Sequence, residues 1–279
     1  MRAARPLWLC ARLELVLALR SRWTQIFAAV FATLALAVAA SGYVLSGGRG
    51  VQDFARTAVS LVQLVVLLVP LTALVIGVLA LAPERGAAEL LFSQPVARGT
   101  LLLGKVLGLF QALAAAQALG FGAAGLVIFS QSGGEGLGGF VALVAGSLVL
   151  TAVFLGLAAL LAAGAVGRRR ARALALALAV WFAAVVLVDV AALGLASLLP
   201  SGTASRVLIV SVLANPVGAV RTGSLLAIEG TAAFGAASLA FLRFTKGPVG
   251  ASLLIGLSAL AWTVAPTLLA VARLRRADV

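Results

Sequence analysis

The chain has 279 residues, of which 63% are hydrophobic and only 10% are charged. Soluble domains contain roughly 45–50% apolar and about 25% charged residues, so this composition predicts a membrane protein with several spans. The formal net charge of +13 does not indicate a nucleic acid partner, because basic residues collect at the cytoplasmic ends of membrane helices.

The residue types that are missing argue against several kinds of chemistry. The chain has no histidine, one methionine and one cysteine, Cys10. A Ser-His-Asp triad, an internal disulfide and a soft metal site are therefore not expected. We expect no catalytic site, no metal and no cofactor bound by this chain. Charges between Arg12 and Arg22 interrupt any short apolar core, so no cleaved signal peptide is predicted.

Residues 6–23 are predicted to form a helix that lies in the membrane interface. Glu14, Arg20 and Arg22 recur within an apolar background, and Trp8 and Trp23 stand near the two ends. Such a pattern is typical of an amphipathic helix at a lipid surface. The alternative is a cytoplasmic extension of the first membrane span.

Six stretches are long and apolar enough to cross a membrane, which takes about 20 residues in a helix. They lie near residues 24–45, 57–82, 107–130, 140–166, 173–199 and 249–272. Pro70 lies inside the second stretch and predicts a kink. The predicted fold is an all-α polytopic membrane protein, with one transmembrane domain over residues 1–279.

The region 200–248 allows two topologies. Leu225–Leu242 is apolar enough for a short seventh span, although it contains Glu229. With six spans and both termini in the cytoplasm, 15 of the 21 basic residues lie on the cytoplasmic side. A seventh span would move the basic cluster 273–276 outside, against the positive-inside rule. We therefore predict a periplasmic loop of helical, partly membrane-dipping character.

Residues 83–105 form a charged segment between the second and third spans. Within it, Gly99-Thr-Leu-Leu-Leu-Gly104-Lys105 matches the first part of a phosphate-binding loop. Val106 replaces the Ser or Thr that would hold magnesium, and the leucines favour a helix over a cradle of backbone amides. ATP and Mg²⁺ are therefore expected in a partner ATPase.

The same segment is predicted to contain a cytoplasmic coupling helix. Residues 86–93 are long enough for two helical turns, and their Glu-Leu-Leu-Phe core is too apolar for a free loop. The alternative is a plain connection between helices. The residues expected to contact the ATPase are Glu84, Arg85, Gly86, Glu89, Leu90, Leu91, Gln94, Pro95 and Arg98.

Asp189 lies within the fifth span, where a carboxylate is a functional hypothesis by default. Three roles are open: it lines a cavity, relays a proton or pairs with an arginine such as Arg221. A structural hydrogen bond to a neighbouring helix is an equally good interpretation. Asn215-Pro216 begins a turn ahead of Arg221, and these residues are candidates for an outer gate or a partner contact, with simple loop chemistry as the alternative.

Small residues are expected to allow close approach of the membrane helices. They are Gly104, Gly108, Gly120 and Gly156.

Taken together, these motifs resemble those of the ABC-2 type transporter permeases, and more closely the permeases of the nitrous oxide reductase maturation system. The resemblance covers most of the chain and is strongest in four places. These are Glu14-Leu15 with Leu19–Trp23; Glu84–Leu91 with Gln94–Arg98 and Leu102–Lys105; Trp181-Phe182 with Asp189; and Asn215-Pro216 with Arg221.

The resemblance implies a homodimer in the bacterial cytoplasmic membrane that binds two cytoplasmic ATPase subunits. It also implies a periplasmic β-helical partner and a role in assembling the copper centres of nitrous oxide reductase. The permease would move a sulfur species or transmit motion to the outer partner. The segment after Arg221 is rich in Gly and Ala and departs from the family pattern.

Three other functions fit the composition. A generic exporter of a small molecule or a lipid would share the architecture. An ion-coupled secondary transporter would need an inverted repeat and interrupted helices, and no convincing duplication of the two halves is present. A membrane anchor for an assembly factor would lack a continuous polar cavity.

Overall fold

The computed structural model describes residues 4–46, 51–82, 96–132, 134, 136–163, 170–230, 242 and 244–276. Across these ranges the regular elements are helical. In chain order they are α1 (Ala4–Arg20), α2 (Arg22–Ser46), α3 (Val51–Leu81), α4 (Arg98–Ser132), α5 (Leu137–Ala162), α6 (Arg170–Phe182), α7 (Val188–Ser197), α8 (Ser201–Ala214), α9 (Pro216–Glu229) and α10 (Pro248–Arg276). A π-helical turn, Ala183–Leu187, joins α6 to α7.

Six helical segments within the described ranges are long and apolar enough to cross a membrane. They are Arg22–Ser41, Arg56–Leu81, Arg98–Ser130, Leu137–Ala162, Arg170–Ser197 and Pro248–Arg276. The predicted class, an all-α protein with six spans, is confirmed. The third span starts earlier than the predicted residue 107, because the leucine-rich run after Arg98 is helical from its first turn.

The phosphate-loop match at residues 99–105 lies inside α4. Its amides are therefore engaged in a regular helix and do not point into a common cradle. The sequence prediction that this stretch is a helix is confirmed.

The helix α3 lies at the centre of the bundle, with 56% of its apolar stretch buried. It packs against α2, α5, α6 and α9. A row of aromatic rings runs from α2 across α4 to α5: Phe31 contacts Phe121 at 5.2 Å between ring centroids, and Phe121 contacts Phe140 at 6.0 Å. Both contacts are edge-to-face, the arrangement that aromatic quadrupoles favour.

A buried polar cluster joins α4 to α5. Gln117 Nε2 donates to Thr151 Oγ1 at 2.7 Å, and Ser147 Oγ donates to Gln117 Oε1 at 2.8 Å. All three side chains are buried. Because lipid offers no alternative partner, hydrogen bonds of this kind add to van der Waals packing in fixing two membrane helices.

The region predicted as an outer loop forms two helices, α8 and α9, which meet at Asn215 with a bend of 101°. Asn215 caps α9, since its side chain accepts a hydrogen bond from the Val217 N–H, and Pro216 occupies the first helical position. The buried residues Val217 and Ala219 lie on α9, which packs against α3, α5 and α10. The helical character is confirmed, whereas the candidate seventh span extends into residues 231–241, which lie outside the described ranges.

Several helix ends meet at one end of the bundle, which we call the basic end. Lys105 Nζ, near the start of α4, donates to Ala80 O near the end of α3 at 3.0 Å. Arg170, the first residue of α6, donates to Leu79 O at 2.7 Å. A Cβ on Gly99 would lie 3.0 Å from Val271 Cγ1 near the end of α10. The other end, where α4 meets α5 and α7 meets α8, is called the opposite end.

Candidate functional site

At the basic end, α1 lies against α4 with almost no space between the backbones. A Cβ placed on Gly104 would lie 2.6 Å from Cys10 Cβ and 3.0 Å from Leu7 O. A Cβ on Gly108 would meet Ala11 O and would lie 2.8 Å from Leu15 N. Glycine at these two positions is what permits the contact, as predicted for close helix packing.

The other two predicted packing glycines also lie at helix contacts. A Cβ on Gly120 would come within 3.2 Å of Ala32 Cα in α2, and one on Gly156 would come within 2.6 Å of Thr267 Oγ1 in α10. The packing role predicted for all four glycines is therefore confirmed.

An ion pair crosses the α1–α4 contact. Glu14 Oε2 lies 3.5 Å from Lys105 Nζ, with 8% of the Glu14 side chain and 24% of the Lys105 side chain exposed. Burial raises the pKa of the Glu14 carboxyl above its ordinary value of 4.5, and Lys105 offsets this in part by attraction and hydrogen bonding. Desolvation therefore outweighs the attraction of the single nearby cation.

The remaining residues predicted for this end fall into two groups. Arg20 and Arg22 are exposed on either side of Ser21, the single residue that separates α1 from α2. Arg98 is the first residue of α4. The other coupling residues lie outside the described ranges: Glu84, Arg85, Gly86, Glu89, Leu90, Leu91, Gln94 and Pro95. Their contact with an ATPase stays a prediction, as does the interfacial position of α1.

Toward the opposite end, Asp189 pairs with Arg221. Arg221 Nη1 donates to Asp189 Oδ2 at 2.7 Å, and the two side chains are 27% and 26% exposed. The pair joins the fifth span to α9, which leads back into the bundle. Of the roles open for Asp189, pairing with Arg221 is the arrangement present.

Asn215 makes a second connection between the same elements. In the π-helical turn the Val188 N–H reaches back to Ala183 O, whereas in a regular α-helix it would bond to Ala184 O. Asn215 Nδ2 donates to Ala184 O at 2.6 Å. The elbow between α8 and α9 is thus attached to the irregular turn of the fifth span. Ser258 of α10 adds a further contact, since its hydroxyl donates to Leu213 O at 2.6 Å.

Three contacts were not predicted from the sequence: the bond from Ser258, the cluster around Gln117 and a bond from Trp181. Ser258 and the cluster around Gln117 have no motif, although polar residues at intervals along very apolar helices are a usable signal. Trp181 was noticed only through the family resemblance. Its Nε1 donates to Leu67 O at 3.0 Å. Leu67 O is adjacent in the chain to Val66 O, the carbonyl that loses its helical donor because residue 70 is a proline.

This arrangement defines the class of protein. Among the described residues no group of three or more His, Cys, Asp or Glu side chains could hold a metal ion. The polar groups instead connect helices to one another across a bundle with six candidate membrane spans. The chain is a multi-span membrane protein in which several polar side chains connect one helix to another.

The chain belongs to the ABC-2 family of transporter proteins, because the family model described as "ABC-2 family transporter protein" matches residues 8–279. Two curated relatives carry the description "Probable ABC transporter permease protein NosY". The one from Pseudomonas aeruginosa is 36% identical over 253 residues, which cover 88% of this chain and 90% of that protein. The one from Stutzerimonas stutzeri is 36% identical over 276 residues, which cover 96% and 98%.

Family membership carries three consequences. The chain is a permease subunit of an ABC transporter and resembles the NosY permeases. Such a subunit works with an ATPase partner. It is a multi-span protein of the bacterial inner membrane.

Proposed function

We propose that this chain receives the motion of a cytoplasmic ATPase dimer at its basic end and passes it through the membrane to the opposite end. One observation carries the orientation: among the described residues, eleven basic side chains lie on segments at the basic end and four on segments at the opposite end. The first set is Arg5, Arg12, Arg20, Arg22, Arg98, Lys105, Arg170, Arg172, Arg273, Arg275 and Arg276; the second is Arg56, Arg206, Arg221 and Lys246. The positive-inside rule assigns the basic end to the cytoplasm, together with both termini.

The ATPase meets this end between the second and third spans. Ala82 directly follows α3, and Val96 lies two residues before Arg98, the first residue of α4 and itself a predicted coupling residue. The helix α4 is held against α1 by the contacts at Gly104 and Gly108. A force applied near Arg98 would therefore move α1 and α4 as one body. With 35 residues, α4 is about 52 Å long at 1.5 Å per residue, enough to carry that motion across the membrane.

At the opposite end, the fifth span receives the motion. Asp189 and Asn215 link this span to α9 and to the elbow, so displacement of α9 pulls on the fifth span. Only 11% of that span's apolar stretch is buried. We assign its exposed face to contact with a second copy of the chain, which makes the homodimer that the resemblance implies.

The physiological role follows from the resemblance to the permeases of nitrous oxide reductase maturation. We assign the chain to assembly of the reductase copper centres, with a periplasmic β-helical partner on the outer face. The permease either moves a sulfur species or transmits motion to that partner. ATP and Mg²⁺ belong to the ATPase, and any copper belongs to a partner.

The coupling claim is tested by copurifying the chain with its partner ATPase. Replacing Glu84 and Arg85 with alanine should reduce copurification of the ATPase or its stimulation by the permease. Arg206→Ala is the control, because it removes a cation at the opposite end. Unchanged ATPase binding and unchanged stimulation in the double variant would overturn the coupling site.

The maturation claim needs a separate measurement. A denitrifying host without this chain should make nitrous oxide reductase with less copper in its catalytic centre, and the wild-type chain should restore it. Full copper content without the chain would leave a generic ABC-2 exporter as the function.

A further inference from the structure

A crevice of about 230 Å³ opens at the basic end, beside the junction of α1 and α2. Its walls come from that junction, the end of α3, the middle of α4 and the first residue of α6. The polar side chains on its walls are Glu14, Ser21, Trp23, Thr24 and Arg170. Apolar residues such as Leu17 and Ile76 make up the rest of the lining.

One wall of the crevice presents a hydroxyl to which no described residue bonds. Thr24 is 3% exposed, and its Oγ1 has no hydrogen-bond partner among the described residues. A buried hydroxyl without a partner costs roughly 1–3 kcal/mol, so such groups usually bond to something. A molecule bound in the crevice would supply that partner.

The charges around the crevice have opposite signs. Glu14 contributes a carboxyl group that is 8% exposed and whose Oε2 lies 3.5 Å from Lys105 Nζ. Arg170 contributes a guanidinium, which is fixed by its bond to Leu79 O. A ligand with one cationic and one anionic group matches these walls, whereas a simple anion would be repelled by Glu14.

The position of the crevice indicates which kind of zwitterionic ligand would reach it. It lies where the first, second and fifth spans begin or end, and Trp23 beside it is largely exposed. Tryptophan at the ends of spans marks the headgroup level of a bilayer. We propose that the crevice binds the headgroup of a phospholipid with a primary ammonium, such as phosphatidylethanolamine.

In this site the ammonium donates hydrogen bonds to Glu14, and the phosphate accepts from Arg170 and from the Thr24 hydroxyl. The glycerol and the first methylenes of the acyl chains lie along Leu17 and Ile76. A trimethylammonium group has no N–H to donate, so phosphatidylcholine should bind more weakly. Because α1 and α3 both form the walls, an occupied site would brace the end at which the ATPase acts.

The test is native mass spectrometry and thermal unfolding of the full chain in detergent. Phosphatidylethanolamine, phosphatidylcholine and phosphatidylglycerol with identical acyl chains are added separately, and inorganic phosphate is added alone. Phosphatidylethanolamine should bind most tightly and raise the melting temperature most. Equal effects of the three lipids, a preference for phosphatidylglycerol or full stabilisation by phosphate alone would each overturn the proposal.

Thr24→Val removes only the hydroxyl and fills the same volume. Because no residue in the described ranges bonds to that hydroxyl, the lipid-free variant should fold as well as the wild type. It should bind phosphatidylethanolamine about fivefold more weakly, the equivalent of one hydrogen bond. Thr263→Val is the matched control. The Thr263 hydroxyl bonds within its own helix, to Ala259 O at 2.8 Å, so its removal should leave lipid binding unchanged. An undiminished preference for phosphatidylethanolamine in Thr24→Val would contradict the site.

Discussion

The two ends of the bundle are held together by different kinds of contact. At the basic end, backbone lies on backbone at Gly104 and Gly108, and a nearly buried ion pair crosses the junction. Toward the opposite end, the fifth span has 11% of its apolar stretch buried, and polar bonds from Asn215 and Arg221 attach it to the elbow and to α9. Close-packed contacts resist deformation, whereas a few exchangeable bonds permit rearrangement. In the proposed function, the rigid basic end receives the motion of the ATPase, and the adaptable opposite end delivers it.

The largest expected effect comes from filling the space at the rigid junction. Gly108→Ala places a methyl group against Ala11 O and other backbone atoms, which cannot rotate away. We expect a loss of about 3 kcal/mol of stability, the upper range for overpacking. Thermal unfolding in detergent measures it. Gly122→Ala on the same helix is the control, because its Cβ would meet nothing within 4 Å; equal behaviour of the two variants would contradict tight docking of α1.

Removing the cation at the same junction should have the next largest effect. Lys105→Met leaves Glu14 buried without its partner. Breaking a fully buried pair costs roughly 3–5 kcal/mol, and we expect about 2 kcal/mol here, because Lys105 keeps 24% of its side chain exposed. Combining Lys105→Met with Glu14→Gln should restore much of the lost stability, which thermal unfolding measures. A double variant no more stable than Lys105→Met would show that the ion pair is not the cause.

The pH dependence of stability gives a smaller effect at the same site, because a carboxyl can escape the cost of burial by taking up a proton. Burial raises the pKa of Glu14 in the folded chain above 4.5. The folded state then holds this proton more tightly than the unfolded state, so the stabilisation is complete below the unfolded pKa and is lost as the pH rises through the folded pKa.

Glu14→Gln should remove this component from the free energy of unfolding. The difference between wild type and variant should therefore shift against the wild type as the pH rises from below 4.5 through the raised pKa of Glu14. Chemical unfolding at a series of pH values measures it. A difference that moves in the opposite direction would mean that attraction to Lys105 outweighs burial.

The smallest effect on stability is expected at the opposite end. Asp189→Asn should cost about 1 kcal/mol or less, because both members of the pair are roughly a quarter exposed. Asp189→Asn should lower the ATP-driven activity of the assembled transporter even where the free energy of unfolding hardly changes. A double-mutant cycle with Arg221→Gln separates the pair from its surroundings, and zero coupling in both readouts would remove this link from the proposed path.

Much of the architecture was predictable because lipid imposes few solutions. Long apolar stretches must be helical in a bilayer, so hydropathy predicted the spans. The need for close helix contacts predicted the packing role of the glycines. The helical nature of residues 99–105 also followed from composition, once Val106 had removed the phosphate-loop interpretation.

The pairing of Asp189 was open in the sequence for a physical reason. Asp189 and Arg221 lie 32 residues apart, and only the bend at Asn215 turns α9 back toward the fifth span. A straight helix through residues 201–229 would carry Arg221 away from Asp189. The crevice beside Thr24 was equally hidden, since four separate segments contribute its walls.

The sequence by itself determined the membrane class, the number of spans in the described ranges, the packing glycines and the turn at Asn215-Pro216. These depend on local composition, on backbone geometry and on the absence of water in lipid. Only the tertiary structure decided which charges meet, that Asn215 satisfies the π-helical turn, and that no described residue bonds to the Thr24 hydroxyl beside the crevice. These depend on where distant segments come together, which no local pattern specifies.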